Sequence, residues 1–219
     1  LLILMISKKS YNIDSFENKD NLFFVHIPKN AGTSIEDTMK ENFNLNFGRF
    51  YKFPKIDIPI NNDSLWHIPP KYFLGNNPYK NKILFLVVRN PYERILSKYK
   101  YDCNNNQLPP NKKDLNKFIN NIPKKIKNNK FQDGCHYLPQ YEFLDYDDAA
   151  KYEILKMENL DSDFQKFLKK YNFPEIKLKR NNSTKKSLSI LDLDKESIKI
   201  INNIYKIDFI KFNYKIISP

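Results

Sequence analysis

Glycine, cysteine, histidine and arginine are all scarce in this chain of 219 residues. Four Gly are too few for a collagen-like or Gly-rich low-complexity chain. Two Cys cannot build a disulfide scaffold. Together with His26, His67 and His136, Cys103 and Cys135 match no zinc-finger spacing, so the sequence points to no metal. No stretch approaches the ~20 apolar residues that a membrane span needs. Internal repeats are missing, and so is a Walker A pattern. No RNP, zinc-finger or helix-turn-helix signature appears, which argues against specific nucleic-acid recognition.

What is present suits one folded α/β domain. Hydrophobic residues make up 41% and aromatics 15%, with 17 Phe and 14 Tyr, enough to fill a core. The length fits a single domain over 1–219, with residues 1–20 as an N-terminal extension and 104–133 as an irregular insert. The net charge is +12, yet only four of the 37 basic residues are Arg. The Lys surplus is either a solvated surface or a draw for anions such as nucleotides, acidic glycans or nucleic acid. Leu1 to Ile6 form an apolar run, read either as the end of a removed membrane anchor or as a buried strand. The first reading places the protein in a Golgi or secretory lumen, the second leaves the cytoplasm open. Oligomeric state has no signal.

Two apolar runs stand out, Leu22-Phe23-Phe24-Val25 and Ile83-Leu84-Phe85-Leu86-Val87-Val88. Runs apolar on both faces suit central strands of a parallel sheet covered by helices. Each leads into a helix. The first carries Ile35, Met39 and Phe43, with Glu36 and Asp37 expected in its opening turn. For the second, Asn90 is the expected N-cap, Pro91 the first helical residue and Glu93 the capping-box partner, ahead of a buried stripe of Ile95, Leu96 and Tyr99. Residues 104–112 read as a loop. Leu115, Phe118, Ile119 and Ile122 suggest a short helix ended by Pro123, followed by a basic run over 124–130. Residues 152–157 look like a third inner strand, followed by an amphipathic helix with Leu160, Phe164, Phe167, Leu168 and Tyr171. Residues 179–187 read as a basic loop, and Asp194 as the cap of a last helix with Ile198, Ile201, Ile204 and Tyr205. This order places ligands at the carboxyl ends of the strands.

The chemistry concentrates at the two junctions. His26-Ile27-Pro28-Lys29-Asn30-Ala31-Gly32-Thr33-Ser34 joins a strand to a helix start, where free N–H groups and the dipole favour an anion. Lys29 adds charge, Thr33 and Ser34 add hydroxyls, and Gly32 permits close backbone approach. At the second junction, Arg89, Arg94 and Ser97 suit a phosphate. The plainer reading makes the first a tight turn, and pairs Arg94 with Glu93 or Asp37 on a helix surface.

Pro28-Lys29-Asn30-Ala31-Gly32-Thr33-Ser34 resembles the 5′-phosphosulfate loop of PAPS-dependent sulfotransferases. Arg89-Asn90-Pro91-Tyr92-Glu93-Arg94 with Ser97 and Tyr99 resembles their 3′-phosphate motif. Further echoes are His136-Tyr137-Leu138-Pro139-Gln140, Met157-Glu158-Asn159-Leu160 with Asp163 and Phe164, and Tyr205 with Asp208 and Phe209. The chain is most similar to the membrane-type carbohydrate branch that includes the heparan and dermatan 2-O-sulfotransferases. One departure is Ala31 in place of Gly, which fits with a negative φ.

The resemblance implies a P-loop-like central parallel sheet flanked by helices. It also implies transfer of a sulfuryl group from PAPS, without a metal, to an acceptor hydroxyl, with an anionic glycan suiting the charge. Residues 28–34 would hold the 5′-phosphosulfate, Arg89 and Ser97 the 3′-phosphate, and the loop from Arg180 to Lys186 would close over the nucleotide. Lys29 would stabilise the departing bridging oxygen. His67, between the two motifs, is the expected base, with His136, Glu36 and Asp63 as alternatives. His136 and Gln140 are expected substrate contacts, and His26 a structural residue. Cys103 and Cys135 are either one disulfide or two buried thiols, the disulfide being slightly favoured. The competing functions are a nucleotide kinase, which shares the strand-loop-helix phosphate site, and a non-enzymatic basic module that binds glycans or nucleic acid.

Overall fold

The computed structural model of the chain describes residues 21–59, 62–144, 151–179 and 188–219, without the side chains of residues 62 and 63. Among the described residues three parallel strands form a sheet, β1 (Leu22–Val25), β2 (Ile83–Val88) and β3 (Lys151–Lys156), in the order β1-β2-β3. Leu22 lies opposite Ile83, and Ile83 opposite Lys151, so the strands run in step and end on the same side of the sheet. Both apolar runs are strands, and every residue in them except Ile83 is buried. The third strand is a correction. It lies at the edge of the described sheet, and only Leu155 in it is fully buried.

Helix α1 (Gly32–Phe43) packs Ile35, Met39 and Phe43 completely out of solvent. Burying each such side chain contributes roughly 1.5–3 kcal/mol. A cap is worth about 1 kcal/mol, so this helix can form with no side-chain cap. Because it starts at Gly32, Glu36 and Asp37 fall beyond the first turn, and Glu36 points inward. In α2 (Pro91–Asn105) the Asn90 side chain accepts from the Tyr92 N–H, and Pro91 opens the helix. The expected capping box does not close. The Asn90 N–H donates to Glu158 (2.8 Å), and Glu93 pairs with Arg89 (3.6 Å).

Residues 104–133 are less irregular than expected. They hold the end of α2, then α3 (Lys112–Asn120) and α4 (Ile122–Asn128). Pro123 stands in the first turn of α4, where no helical partner awaits its missing N–H, so it starts a helix rather than ending one. A short turn, α5 (Gln132–Cys135), follows. Helix α6 (Leu160–Lys170) stacks Phe167 on Phe85 of β2 at 4.5 Å. Asp194 caps α7 (Lys195–Ile204), but α8 (Lys206–Lys211) comes after it.

The sheet and its covering helices form one apolar cluster. Residues of α2, α3, α7 and α8, among them Ile95, Leu115, Ile119, Ile201 and Phe209, form a second. Cys103 belongs to the second and Cys135 to the first, and both are buried free thiols, so the favoured disulfide is absent. Burial pushes the Cys135 thiol up to about 12. Among the described residues no helix is long and apolar enough to cross a membrane. Leu1 to Ile6 lie outside the described residues.

Candidate active site

Both junctions emerge on the same side of the sheet and are tied to each other. Arg94 is 1% exposed and pairs with neither Glu93 nor Asp37. Its guanidinium donates to the carbonyls of Pro28 (3.1 Å), Leu138 (2.8 Å) and His136 (3.2 Å). Such a planar fork suits several fixed acceptors at once. Gln140 is fully buried. Its Oε1 accepts from Asn30 Nδ2 (2.7 Å) and the Arg89 N–H (2.9 Å), and its Nε2 donates to the Arg89 carbonyl (2.8 Å). Expected as a substrate contact, Gln140 instead joins the first loop to the second. Asn30 is equally buried and also donates to the Val87 carbonyl (2.7 Å), so its side chain braces the loop from within.

The later echoes belong to the same frame. Asp208 accepts from the backbone N–H of Gln140 (2.8 Å) and Tyr141 (2.9 Å). Burial raises its pKa, and those N–H groups and Arg94 oppose the rise. The Tyr205 hydroxyl donates to the Tyr137 carbonyl (3.0 Å), and Asp163 accepts from the Lys156 N–H (3.1 Å).

The first loop is shaped to receive an anion. Lys29 and Ala31 have positive φ, 69° and 59°, with Asn30 between them outside the left-handed region. Such alternation turns successive N–H groups toward one side, a concavity that binds anions. Ala31 therefore departs from the negative φ expected of it and carries a strain that Gly would avoid. No side chain caps α1, so its leading N–H groups have no side-chain acceptor among the described residues. Thr33 and Ser34 are half-buried in that first turn. Gly32 is needed for a neighbour within the protein. A Cβ there would overlap the His26 ring, whose Nδ1 lies 2.5 Å from buried Glu36. That pairing ties the His26 ring to Glu36 inside the protein.

Cations and imidazoles gather around this loop. Lys29 Nζ sits 3.7 Å above the centre of the Tyr101 ring. Burial, then Lys98 and Arg89, lower the Lys29 ammonium to about 8, against a rise from Asp102. Arg89 reaches the Lys29 carbonyl (3.3 Å) and remains half-buried. Burial also lowers its pKa, opposed by Glu93 and Glu158. Ser97 is half-buried on the turns of α2 beyond Glu93. His26, His67 and His136 form a row, with ring centres 4.5 Å and 5.2 Å apart. The Trp66 indole N–H donates to His67 Nε2 (3.1 Å), and His67 Nδ1 is buried without a partner. His67 is held well below its ordinary pKa by burial and by the surrounding positive groups.

Lys98 and Tyr101 escaped the sequence reading, although both lie on α2 at helical spacing from Arg94. Arg180 and Lys186, and the side chain of Asp63, lie outside the described residues. Among the described residues no group of three or more His, Cys, Asp or Glu is arranged to hold a metal ion. No curated protein and no solved structure shows significant similarity to the chain. A family model described as the sulfotransferase family matches residues 15–215. With that match over most of its length and a parallel sheet flanked by helices, the chain belongs to the sulfotransferase family, whose members transfer sulfuryl groups.

Proposed function

We propose that the protein transfers a sulfuryl group from PAPS to a hydroxyl on an anionic carbohydrate, as the 2-O-sulfotransferase-like branch does. The observation that carries this is the first loop. Its left-handed Lys29 and Ala31, the uncapped start of α1 and the Lys29 ammonium all offer donors to one anion. These features fit a phosphosulfate. Arg89, joined to that loop through Gln140 and the Lys29 carbonyl, would hold the 3′-phosphate together with Ser97. When bound, the nucleotide supplies an electrophilic sulfur and a stable leaving group.

The chain's own residues supply the rest. Backbone N–H groups of residues 28–34, with Thr33 and Ser34, hold the transferring end in place. Lys29 sets positive charge against the oxygen that departs. An imidazole of the histidine row takes the acceptor proton. Lys29 and Tyr101 border the space in which an acceptor would approach.

Adenosine 3′,5′-bisphosphate should raise the melting temperature without added metal, since a ligand at one hundred times its Kd stabilises the native state by about 2.7 kcal/mol. Arg89→Ala should lose most of that shift. Equal stabilisation of the wild type by adenosine 5′-phosphate would refute the 3′-phosphate assignment. A screen of polysaccharides with labelled PAPS identifies the acceptor class.

A further inference from the structure

The geometry points to His136 as the base that takes the acceptor's proton, with His67 as its positioning partner; this rests on the sulfuryl-transfer reading. A base needs a lone pair that nothing else holds. The indole N–H of Trp66 can only donate, so its bond to His67 Nε2 occupies that nitrogen's lone pair. The neutral ring then carries its hydrogen on Nδ1, which is buried beside Gly134. In this arrangement His67 has no free lone pair, and the base expected from sequence is displaced.

His136 is wired the other way. Its Nδ1 contacts the Asp133 carbonyl, a group that can only accept. Nδ1 must therefore hold the hydrogen, and Nε2 carries a bare lone pair. No described residue bonds that nitrogen, and it is not among the buried atoms without a partner. The ring is half-buried. Its edge meets His67 at 5.2 Å, and it lies nearly parallel to Tyr101 at 6.2 Å. Tyr101 also carries the Lys29 ammonium and is 44% exposed. The proposed base and the cation for the departing oxygen thus meet at one open aromatic ring.

The backbone supports the same assignment independently. Asp133, Gly134 and Cys135 all have positive φ, 52°, 62° and 62°. A left-handed residue other than Gly is strained by its Cβ, and such strain persists only where the surroundings impose it. Here the turn aims the Asp133 carbonyl at His136 Nδ1. The Asp133 carboxylate anchors the turn, accepting from the Tyr137 hydroxyl (2.8 Å) beside Lys125 (3.5 Å) and Lys98 (3.8 Å). Arg94 holds the His136 carbonyl.

In the step so assigned, the acceptor oxygen bonds to sulfur while the bond from sulfur to the bridging oxygen breaks. The acceptor proton passes to His136 Nε2. The electron pair of the broken bond leaves with the nucleotide, opposite Lys29. Burial, followed by Lys98, Lys29 and Arg94, lowers the His136 ring to about 3, against the bond to Asp133, so the free protein holds it neutral. Negative charge brought beside Lys29 and Lys98 offsets part of that effect and makes the ring more basic.

Two measurements test the assignment. Diethylpyrocarbonate acylates accessible neutral imidazole nitrogens, and mass mapping on the wild-type chain should find His136 modified well before His67 or His26. Preferential labelling of His67 overturns the assignment. In single turnovers with labelled PAPS and a glucuronic-acid polysaccharide, His136→Gln should lose transfer by roughly 10²–10⁴ and keep its affinity for adenosine 3′,5′-bisphosphate. Added imidazole should restore transfer in His136→Ala, and His67→Gln should lose less than His136→Gln. Wild-type rates in His136→Gln remove the base and leave the enzyme class standing. Failure of the wild type to bind the bisphosphate removes both.

Discussion

Lys29 holds its ammonium over Tyr101, and its proton affinity is set by its neighbours. Burial, Lys98 and Arg89 bring its pKa down to about 8, against Asp102. The cation is therefore present at neutral pH and is lost on moderate alkalisation. The kcat/KM for PAPS should fall above about pH 8, because that parameter reports the free enzyme's ionisations. Lys29→Met should lower turnover by roughly 10²–10³ while weakening bisphosphate binding much less. Steady-state kinetics on both proteins across pH checks this. Unchanged turnover in Lys29→Met would take the residue out of the chemistry. The place of Lys29 at a strand-loop-helix junction was legible in the sequence, since that junction is a local pattern. Its partner Tyr101 was not, because the contact spans two elements far apart in the chain.

Loops and helix ends do their work here through bracing rather than through local propensity. Gln140 lies on the segment after α5 and holds the loop before α1 to the loop before α2. Gln140→Leu keeps the volume and leaves Asn30 Nδ2, the Arg89 N–H and the Arg89 carbonyl each short of one partner. A buried polar group without a partner costs about 1–3 kcal/mol, so denaturant unfolding should show a loss of at least ~2 kcal/mol. Bisphosphate affinity should fall as well, since the two motifs are no longer held in register. A variant as stable as the wild type would show that Gln140 is not the tie. The sequence placed Gln140 near the site as part of an echo, but its burial is decided by α8, whose Asp208 reaches back to the same segment. The helix starts divide in the same way. The Asn90 cap was readable because the capped N–H is two residues away, whereas Glu158, which takes Asn90's own N–H, arrives from beyond β3.

Across the whole molecule, the +12 charge is carried mainly by Lys spread over the chain. At physiological salt the Debye length is ≈ 8 Å, so only cations close to the site act strongly on a bound acceptor. The KM for a glucuronic-acid polysaccharide should rise as salt increases, and that for a neutral saccharide should stay level. Salt-independent KM values for both would exclude charge as the basis of acceptor choice. The topology puts the cations where such an effect would act, since Lys29 and Arg89 both follow strands that end on one side of the sheet.

By itself the sequence determined the two apolar central strands, the helices that follow them, the Asn90 cap and the strand-loop-helix junction over residues 28–34. All of these depend on neighbours within a few positions, where periodicity and backbone chemistry act. Tertiary structure decided that β3 lies at the edge of the described sheet, that Cys103 and Cys135 belong to separate cores, and that Arg94 and Gln140 brace the two junctions from inside. It also decided which histidine keeps a free lone pair. A ring nitrogen's role depends on the donor or acceptor facing it. Trp66 is His67's neighbour in the chain, but the Asp133 carbonyl reaches His136 only because three successive residues turn left-handed.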